Sequence, residues 1–153
     1  RPRLPREVEY VNLRDDQVVV SPEPYSGSSK LISIETEGNE TRVTVAEPIH
    51  FDSNWVMYSK GIRLVDCKTG EVYPIQGLTR GMELNKSLVV NGKKNKMAEF
   101  TLIFPALKKK VKRIDIVEGY SEEAALQPTN GAPWGWQGIR VADYGKKRGE
   151  IIY

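Results

Sequence analysis

The residue types best suited to catalysis occur once each in this chain of 153 residues: one histidine, His50, and one cysteine, Cys67. A single cysteine excludes an internal disulfide and a zinc site built from cysteines. Ser-His-Asp or Cys-His catalysis would have to use His50, and Asp52 lies close enough in sequence to orient its ring. Because no Gly-x-Ser-x-Gly sequence supplies a nucleophile, we predict that His50 is a surface or strand-edge residue without a catalytic role.

Pairs of carboxylates are the other residues that could catalyse a reaction or hold a metal ion. Asp115 and Glu118 lie in one predicted strand, where residues three apart point to opposite faces, so their carboxylates cannot converge on a substrate. We expect both carboxylates to be solvated or ion-paired. No Asp-x-Asp-x-Asp series offers the alternating oxygen ligands of a calcium loop, and segment 131–138 matches no nucleotide-binding glycine pattern. We therefore expect no catalytic residue, no metal site, no cofactor and no enzymatic activity.

Aromatic side chains are the best candidates for a binding site, because an exposed flat ring stacks on a sugar or on another apolar surface. Trp134 and Trp136 belong to a segment rich in Gly, Pro and Asn that is typical of an irregular loop, and Tyr120 lies before it. These three residues form the predicted ligand site of a carbohydrate-binding module. The competing interpretation places the tryptophans, Trp55 included, in the core.

Three basic clusters make nucleic-acid binding a further alternative. They are Lys93-Lys94-Lys96, Lys108-Lys109-Lys110-Lys112-Arg113 and Lys146-Lys147-Arg148. A binder of single strands stacks bases on aromatic residues within its basic strands, whereas these clusters lie in predicted turns or at strand ends, away from the tryptophans. The net charge of +3 is also too small to require a nucleic-acid or lipid partner. We therefore expect solvated lysines and no nucleic-acid partner.

Alternation of apolar and polar residues predicts that antiparallel strands position most of these side chains. The clearest strands are 41–45, 61–66, 98–104, 112–118 and 138–141, and further strands are expected at 7–13, 17–20, 31–36, 71–75 and 88–90. Turn residues separate them: Gly38 and Gly70 each follow a strand, and Asn91-Gly92 indicates a type I′ hairpin turn. The one predicted helix covers 121–126 and needs tertiary packing to be stable.

Short strands that recur about every ten residues predict an all-β fold, which we assign as an immunoglobulin-like antiparallel β-sandwich of about seven to nine strands with at most one short helix. The chain length fits one domain. We place this single β-sandwich domain at residues 31–153 and treat residues 1–30 as an N-terminal arm or edge region. The longest apolar run, 102–107, is far shorter than the roughly 20 residues of a spanning helix, so no transmembrane segment is expected.

The second half of the chain carries a series of landmarks in a fixed order. They are Trp55, Ile62-x-Leu64-x-Asp66, Lys68-Thr69-Gly70-Glu71-x-Tyr73-Pro74-Ile75, Glu99-Phe100-Thr101-Leu102-Ile103-Phe104-Pro105-Ala106-Leu107, Lys112-x-Ile114-Asp115-x-Val117-Glu118-Gly119 and Trp136-x-Gly138-Ile139-Arg140-Val141. In these residues the chain, from about 41 to 142, resembles an uncharacterised immunoglobulin-like domain of envelope and secreted proteins of gut anaerobes. Some members of that family are joined to thioredoxin-like modules. The family brings no activity, ligand or catalytic residue to transfer.

The resemblance implies a β-sandwich outside the cytoplasm, so we expect a periplasmic, outer-membrane-associated or secreted protein whose signal peptide has been removed. The chain has no Cys-x-x-Cys sequence, which argues against a direct redox role. We therefore predict a non-enzymatic interaction or structural module of the envelope or secreted fraction. Its expected partner is an unidentified protein of the cell envelope, with a glycan as the alternative.

Overall fold

The computed structural model describes residues 9–118 and 134–145, and within these ranges the chain is built mainly of β-strands. The described strands are β1 (Tyr10–Asn12), β2 (Val19–Val20), β3 (Lys30–Glu37), β4 (Glu40–Ile49), β5 (Ser53–Val56), β6 (Ile62–Asp66), β7 (Val72–Pro74), β8 (Gly77–Leu78), β9 (Ser87–Asn91), β10 (Lys96–Pro105), β11 (Arg113–Glu118) and β12 (Gly135–Arg140). Two short 3-10 turns, Asp15–Gln17 and Val141–Tyr144, are the helical elements of these ranges. The predicted all-β class is therefore confirmed.

The described strands form three sheets. The first has the order β1-β9-β5, and β1 runs parallel to β9. The second has the order β2-β10-β4-β3, with β8 also paired to β10, and the third has the order β12-β11-β6-β7. Strands β4 and β10 pair along their whole length, from Glu40 opposite Pro105 to Ile49 opposite Lys96. This long antiparallel pair therefore forms the centre of the second sheet.

One hydrophobic core connects the three sheets. On β10 the alternating residues Phe100, Leu102 and Phe104 are all buried, as the sequence pattern predicts. They belong to the same packed cluster as apolar residues of the neighbouring strands, among them Val43, Val45, Ile62, Leu64, Leu88, Val90, Ile114 and Ile116. Sheets that bury apolar faces against one another in this way form a sandwich-like architecture. The immunoglobulin-like type of sandwich stays a prediction.

Part of the predicted N-terminal arm packs on this body. Strand β1 lies at the edge of the first sheet beside β9, and β2 pairs with β10 in the second sheet. Between these strands, Leu13 and Val18 are buried in the common core. Residues 10–20 therefore contribute both edge strands and core side chains.

The hairpin turn predicted at Asn91-Gly92 is wrong. Strands β9 and β10 lie in different sheets, and φ is positive at Gly92, at 73°, but not at Asn91. Instead, the Gly92 N–H donates a hydrogen bond to the carbonyl of Asp52 at 2.9 Å, which extends the β5–β9 pairing. The turn expected at Gly38 does form: Gly38, with φ of 61°, is the first of two residues between β3 and β4, the place that a type II′ turn gives to glycine.

Other boundaries also differ from the prediction. Gln17 and Val141 belong to 3-10 turns, and β5 and β8, with four and two residues, are too short for alternation to reveal them. The predicted helix 121–126 lies outside the described residues, as do the first two residues of the strand expected at 7–13.

The described ranges contain no helix with the length and apolar character needed to cross a membrane.

Candidate functional site

A polar cleft opens where the loop before β3 meets β4 and β5, and it has a volume of about 310 Å³. Its lining residues are Gly27, Ser28, Ser29, Glu47, Pro48, His50, Asn54 and Val56. The lining thus combines hydroxyl, carboxylate, amide and imidazole groups, which hydrogen-bond to small polar molecules. We refer to this site as the polar cleft.

Glu47 forms one wall of the polar cleft from a position that otherwise faces the core. It lies opposite Ala98 in the β4–β10 ladder, two residues after Val45, and it is only 8% exposed. Its Oε2 accepts a hydrogen bond from the Ser29 hydroxyl at 2.6 Å, and its Oε1 accepts one from the Tyr58 hydroxyl at 3.3 Å. These partners offset the cost of burying a carboxylate.

Asn54 forms the opposite wall. On β5 it shares a face with Val56 and lies opposite Val90, so its amide is set among core residues and is 4% exposed. Its Oδ1 has no hydrogen-bond partner among the described residues. A buried acceptor without a partner costs about 1–3 kcal/mol.

Two exposed rings cluster around His50, which belongs to the lining of the polar cleft. Tyr25 and Phe51 are 44% and 42% exposed, and the ring of His50 lies between them, edge to face with each at centroid distances of 5.8 and 6.3 Å. The Tyr25 hydroxyl and His50 Nδ1 form a hydrogen bond of 2.6 Å. His50 is exposed and directly follows β4, which confirms its predicted position at the surface. We refer to Tyr25, His50 and Phe51 as the aromatic rim.

The sequence contains one signal for the polar cleft that belongs to no known motif. Along β4, the apolar series on the core-facing side is interrupted by Glu47, between Val45 and Ile49. No sequence pattern marks Tyr25, because it lies in a loop and comes close to His50, 25 residues later in the chain, only in the folded protein.

The structure brings two of the three predicted site residues together, against the core. The rings of Trp134 and Trp136 meet edge to face at 5.1 Å, and both residues are half-buried and pack on the hydrophobic cluster. Trp134 also contacts the ring of Tyr58 at 6.1 Å, so it is linked through Tyr58 to Glu47. Tyr120, the third predicted site residue, lies outside the described residues.

The carboxylates considered for catalysis, Asp115 and Glu118, accept hydrogen bonds from other segments of the fold. Asp115 Oδ1 accepts hydrogen bonds from the Gly138 N–H at 2.8 Å and from the Cys67 thiol at 3.4 Å, while Glu118 Oε2 accepts one from the Ser59 hydroxyl at 3.0 Å. Enclosure of the sulfur, followed by the hydrogen bond to Asp115, raises the pKa of Cys67. Across the described residues, no group of three or more His, Cys, Asp and Glu side chains is arranged to hold a metal ion.

Two of the basic clusters fall within the described residues and occupy turns or strand ends, as predicted. Lys93 lies 3.7 Å from Asp15, and Lys108 donates to Glu71 at 2.7 Å. The cluster that begins at Lys146 lies outside the described residues.

Comparison of the chain with protein-family models, with curated proteins and with solved structures finds no match.

Proposed function

We propose that the protein is a non-enzymatic interaction module of the cell envelope or secreted fraction, and that it binds a saccharide in the polar cleft. The single observation that carries the proposal is an exposed aromatic rim next to buried hydrogen-bonding groups. The proposal keeps the carbohydrate-binding alternative drawn from the sequence but moves its site from Trp134 and Trp136 to the polar cleft.

The chemistry of a sugar matches both parts of this site. A sugar ring has an apolar C–H face, and the flat rings of Tyr25 and Phe51 are surfaces on which such a face stacks. Its hydroxyl groups donate hydrogen bonds, which Glu47 accepts, and which the oxygen of the Ser29 hydroxyl accepts while its own proton is donated to Glu47. The volume of about 310 Å³ lies at the lower end of the range of roughly 300–1,000 Å³ for small-molecule sites, which suits one sugar unit or the end of a chain.

The carboxylate content of the polar cleft favours binding over hydrolysis. Glycoside hydrolases usually need two carboxyl groups, about 5–9.5 Å apart, on either side of the bond that they cleave. Among the described residues that line the polar cleft, Glu47 is the one carboxylate. Its oxygens already accept hydrogen bonds from Ser29 and Tyr58, a setting suited to holding a ligand hydroxyl.

The location in this proposal rests on the resemblance to immunoglobulin-like domains of envelope and secreted proteins. A module in the envelope or outside the cell meets the glycans of surface polymers and glycoproteins. A glycan carried by an envelope protein would also reconcile the saccharide ligand with the protein partner that the sequence leads us to expect.

The test is a titration of the protein with a panel of soluble oligosaccharides and polysaccharides, followed by tryptophan fluorescence and calorimetry. Because Trp134 contacts Tyr58, which donates to Glu47, we expect occupation of the polar cleft to change the emission. Phe51→Ala should weaken saturable binding by about tenfold through lost stacking and leave the unfolding midpoint unchanged, since the side chain is exposed. Tyr10→Ala, on the similarly exposed Tyr10 of β1, is the matched control and should keep full affinity.

Three results would count against the proposal. Absence of saturable binding by every saccharide in the panel would remove the saccharide ligand. Binding that is lost in folded Trp134→Ala but kept in Phe51→Ala would return the site to the tryptophan pair. New reducing ends released during incubation would show turnover and contradict a non-enzymatic role.

A further inference from the structure

A second cavity, away from the polar cleft, lies between the turn after β6 and the loop before β11. It has a volume of about 360 Å³. Its lining residues are Asp66, Cys67, Lys68, Lys110, Lys112 and Arg113. We refer to it as the basic pocket, because four of these six side chains carry a positive charge.

The loop that carries the lysines is anchored to the core at both ends. Leu107 and Val111 are both buried in the hydrophobic cluster. The Leu107 N–H donates to the Thr41 hydroxyl at 2.9 Å, and the Val111 N–H donates to the Lys108 carbonyl at 3.0 Å. Lys110 therefore projects from a fixed backbone between the anchors and Lys112 directly follows the second anchor, which lowers the entropy cost of binding a ligand.

The other side of the basic pocket is also held in place. The Cys67 N–H donates to the Arg113 carbonyl at 3.1 Å, which continues the pairing of β6 with β11. The Arg113 guanidinium donates through Nη1 to the carbonyl of Gly138 at 3.0 Å. This bond orients the planar fork of the guanidinium and leaves its other N–H groups to act as donors.

Three carboxylates lie near the basic pocket without pairing to its cations: Asp66 in the lining, Asp115 bonded to Cys67, and Glu71, whose charge also acts on Lys110. Lys68, Lys110, Lys112 and Arg113 make no ion pair with any described carboxylate, whereas nearby Lys108 pairs with Glu71. Asp66, the one acid in the lining, is 4% exposed and accepts hydrogen bonds from the Lys68 N–H and the Thr69 hydroxyl. The lining itself contains four cations against one carboxylate.

We propose that the basic pocket binds a tetrahedral oxyanion, the phosphate or sulfate group of a small molecule or of a modified polymer. The guanidinium of Arg113 can form two parallel hydrogen bonds to such a group, and the lysine ammonium groups add point charges around it. No aromatic side chain is among the described residues of the lining, so bases have nothing to stack on and a terminal anion is favoured over a nucleic-acid strand. This site does not depend on saccharide binding in the polar cleft.

The experiment is a titration of the ¹⁵N-labelled protein with sodium phosphate and, separately, with sodium sulfate, at constant ionic strength set with sodium chloride. We expect saturable shifts of the amide resonances of Cys67, Lys68 and residues 110–113. A response to phosphate alone assigns the site to phosphorylated ligands, a response to sulfate alone assigns it to sulfated ligands, and a response to both identifies the shared tetrahedral anion.

A pair of charge-matched variants separates a site from general electrostatics. Lys110→Gln/Lys112→Gln should lower the affinity for the anion by about tenfold, because two charge-assisted contacts are lost. Lys94→Gln/Lys96→Gln removes the same charge at exposed positions elsewhere and should leave the affinity unchanged.

Absence of saturable shifts with either anion would overturn the proposal, and so would equal weakening in both variants. Tighter binding of a single-stranded oligonucleotide than of either anion, with stacking shifts of aromatic resonances, would replace the proposal with a nucleic-acid interface.

Discussion

A single oxygen of Asp115 joins two segments that are distant in sequence. It accepts hydrogen bonds from the N–H of Gly138 on β12 and from the thiol of Cys67 after β6. The sequence predicts a solvated or ion-paired Asp115, because its neighbours in the chain are those of an ordinary strand. Both contacts exist because β11 lies between β6 and β12, so the role of this residue follows from the topology.

We expect the Cys67 thiol to react slowly with alkylating reagents at neutral pH. The residue is exposed as a whole, yet the enclosure of its sulfur and then the hydrogen bond and charge of Asp115 raise its pKa. A raised pKa lowers the fraction of thiolate, which is the reactive form. The rate of iodoacetamide alkylation, followed by mass spectrometry, should therefore rise at a higher pH in the folded protein than in the urea-unfolded chain.

The variant Asp115→Asn tests the cause of this slow reaction. It removes the negative charge but keeps an oxygen that can accept from Gly138, so the pKa of Cys67 falls and the alkylation rate at neutral pH increases. Asp143→Asn, at an exposed aspartate of the 3-10 turn Val141–Tyr144, is the control and should not change the rate. Identical rates in the two variants would contradict the role given to Asp115.

At the scale of elements, strand β4 shows how much the sequence can reveal. Alternation identifies the strand 41–45 and its buried side through Val43 and Val45, but β4 continues to Ile49, so Glu47 and the wall that it forms lie beyond the predicted strand. The opposite wall comes from β5, which is too short for alternation to identify. The aromatic rim includes Tyr25 from a loop, and no local pattern indicates where a loop side chain will pack.

Strand β12 depends on the glycine at its first position. A Cβ at Gly135 would lie 1.8 Å from the carbonyl oxygen of Ile116 on β11, and the φ of 133° is one that other residues rarely adopt. We expect Gly135→Ala to separate the start of β12 from β11 and to lower the free energy of unfolding by roughly 1–3 kcal/mol. Urea denaturation followed by tryptophan fluorescence measures the loss of stability, and the emission of the folded variant, to which Trp134 and Trp136 contribute, reports whether the start of β12 has moved.

Gly145→Ala is the matched control for this variant, since nothing lies within 4 Å of a Cβ at that position and its φ of −61° is ordinary. It should leave the free energy of unfolding nearly unchanged. If both variants lose the same stability, the close approach of Gly135 to Ile116 is not the reason.

At the scale of the whole molecule, most strand pairs join distant parts of the chain. Strand β1 pairs with β9, β2 with β10 and β6 with β11, whereas the consecutive pairs among the described strands are β3–β4, β6–β7 and β11–β12. Alternation shows which side of a strand is buried but not which strand lies beside it. For this reason the all-β class follows from the sequence. The order of the strands within the three sheets does not, and neither does the polar cleft, which lies beside two of these sheets.

Because the three sheets share one hydrophobic core, we expect the protein to unfold in a single cooperative transition. Urea unfolding curves from far-ultraviolet circular dichroism, which reports on all sheets, and from tryptophan fluorescence should have the same midpoint. Ile114→Val, which removes one fully buried methylene from β11, should shift both curves together by about 0.5–1.5 kcal/mol. Val20→Ala, at an exposed position of β2, should shift neither curve by a comparable amount, and separate midpoints would contradict a common core.

The central position of β10 has a consequence for synthesis on the ribosome. Strands β2, β4 and β8 all pair with β10, so they remain without this partner until residues 96–105 have been translated. The β3–β4 hairpin can form early, but it then presents the long edge of β4 to other nascent chains, and such edges invite pairing between molecules. We therefore expect the risk of aggregation to be highest during translation, before β10 has been synthesised, when a chaperone that binds extended segments would protect the edge of β4.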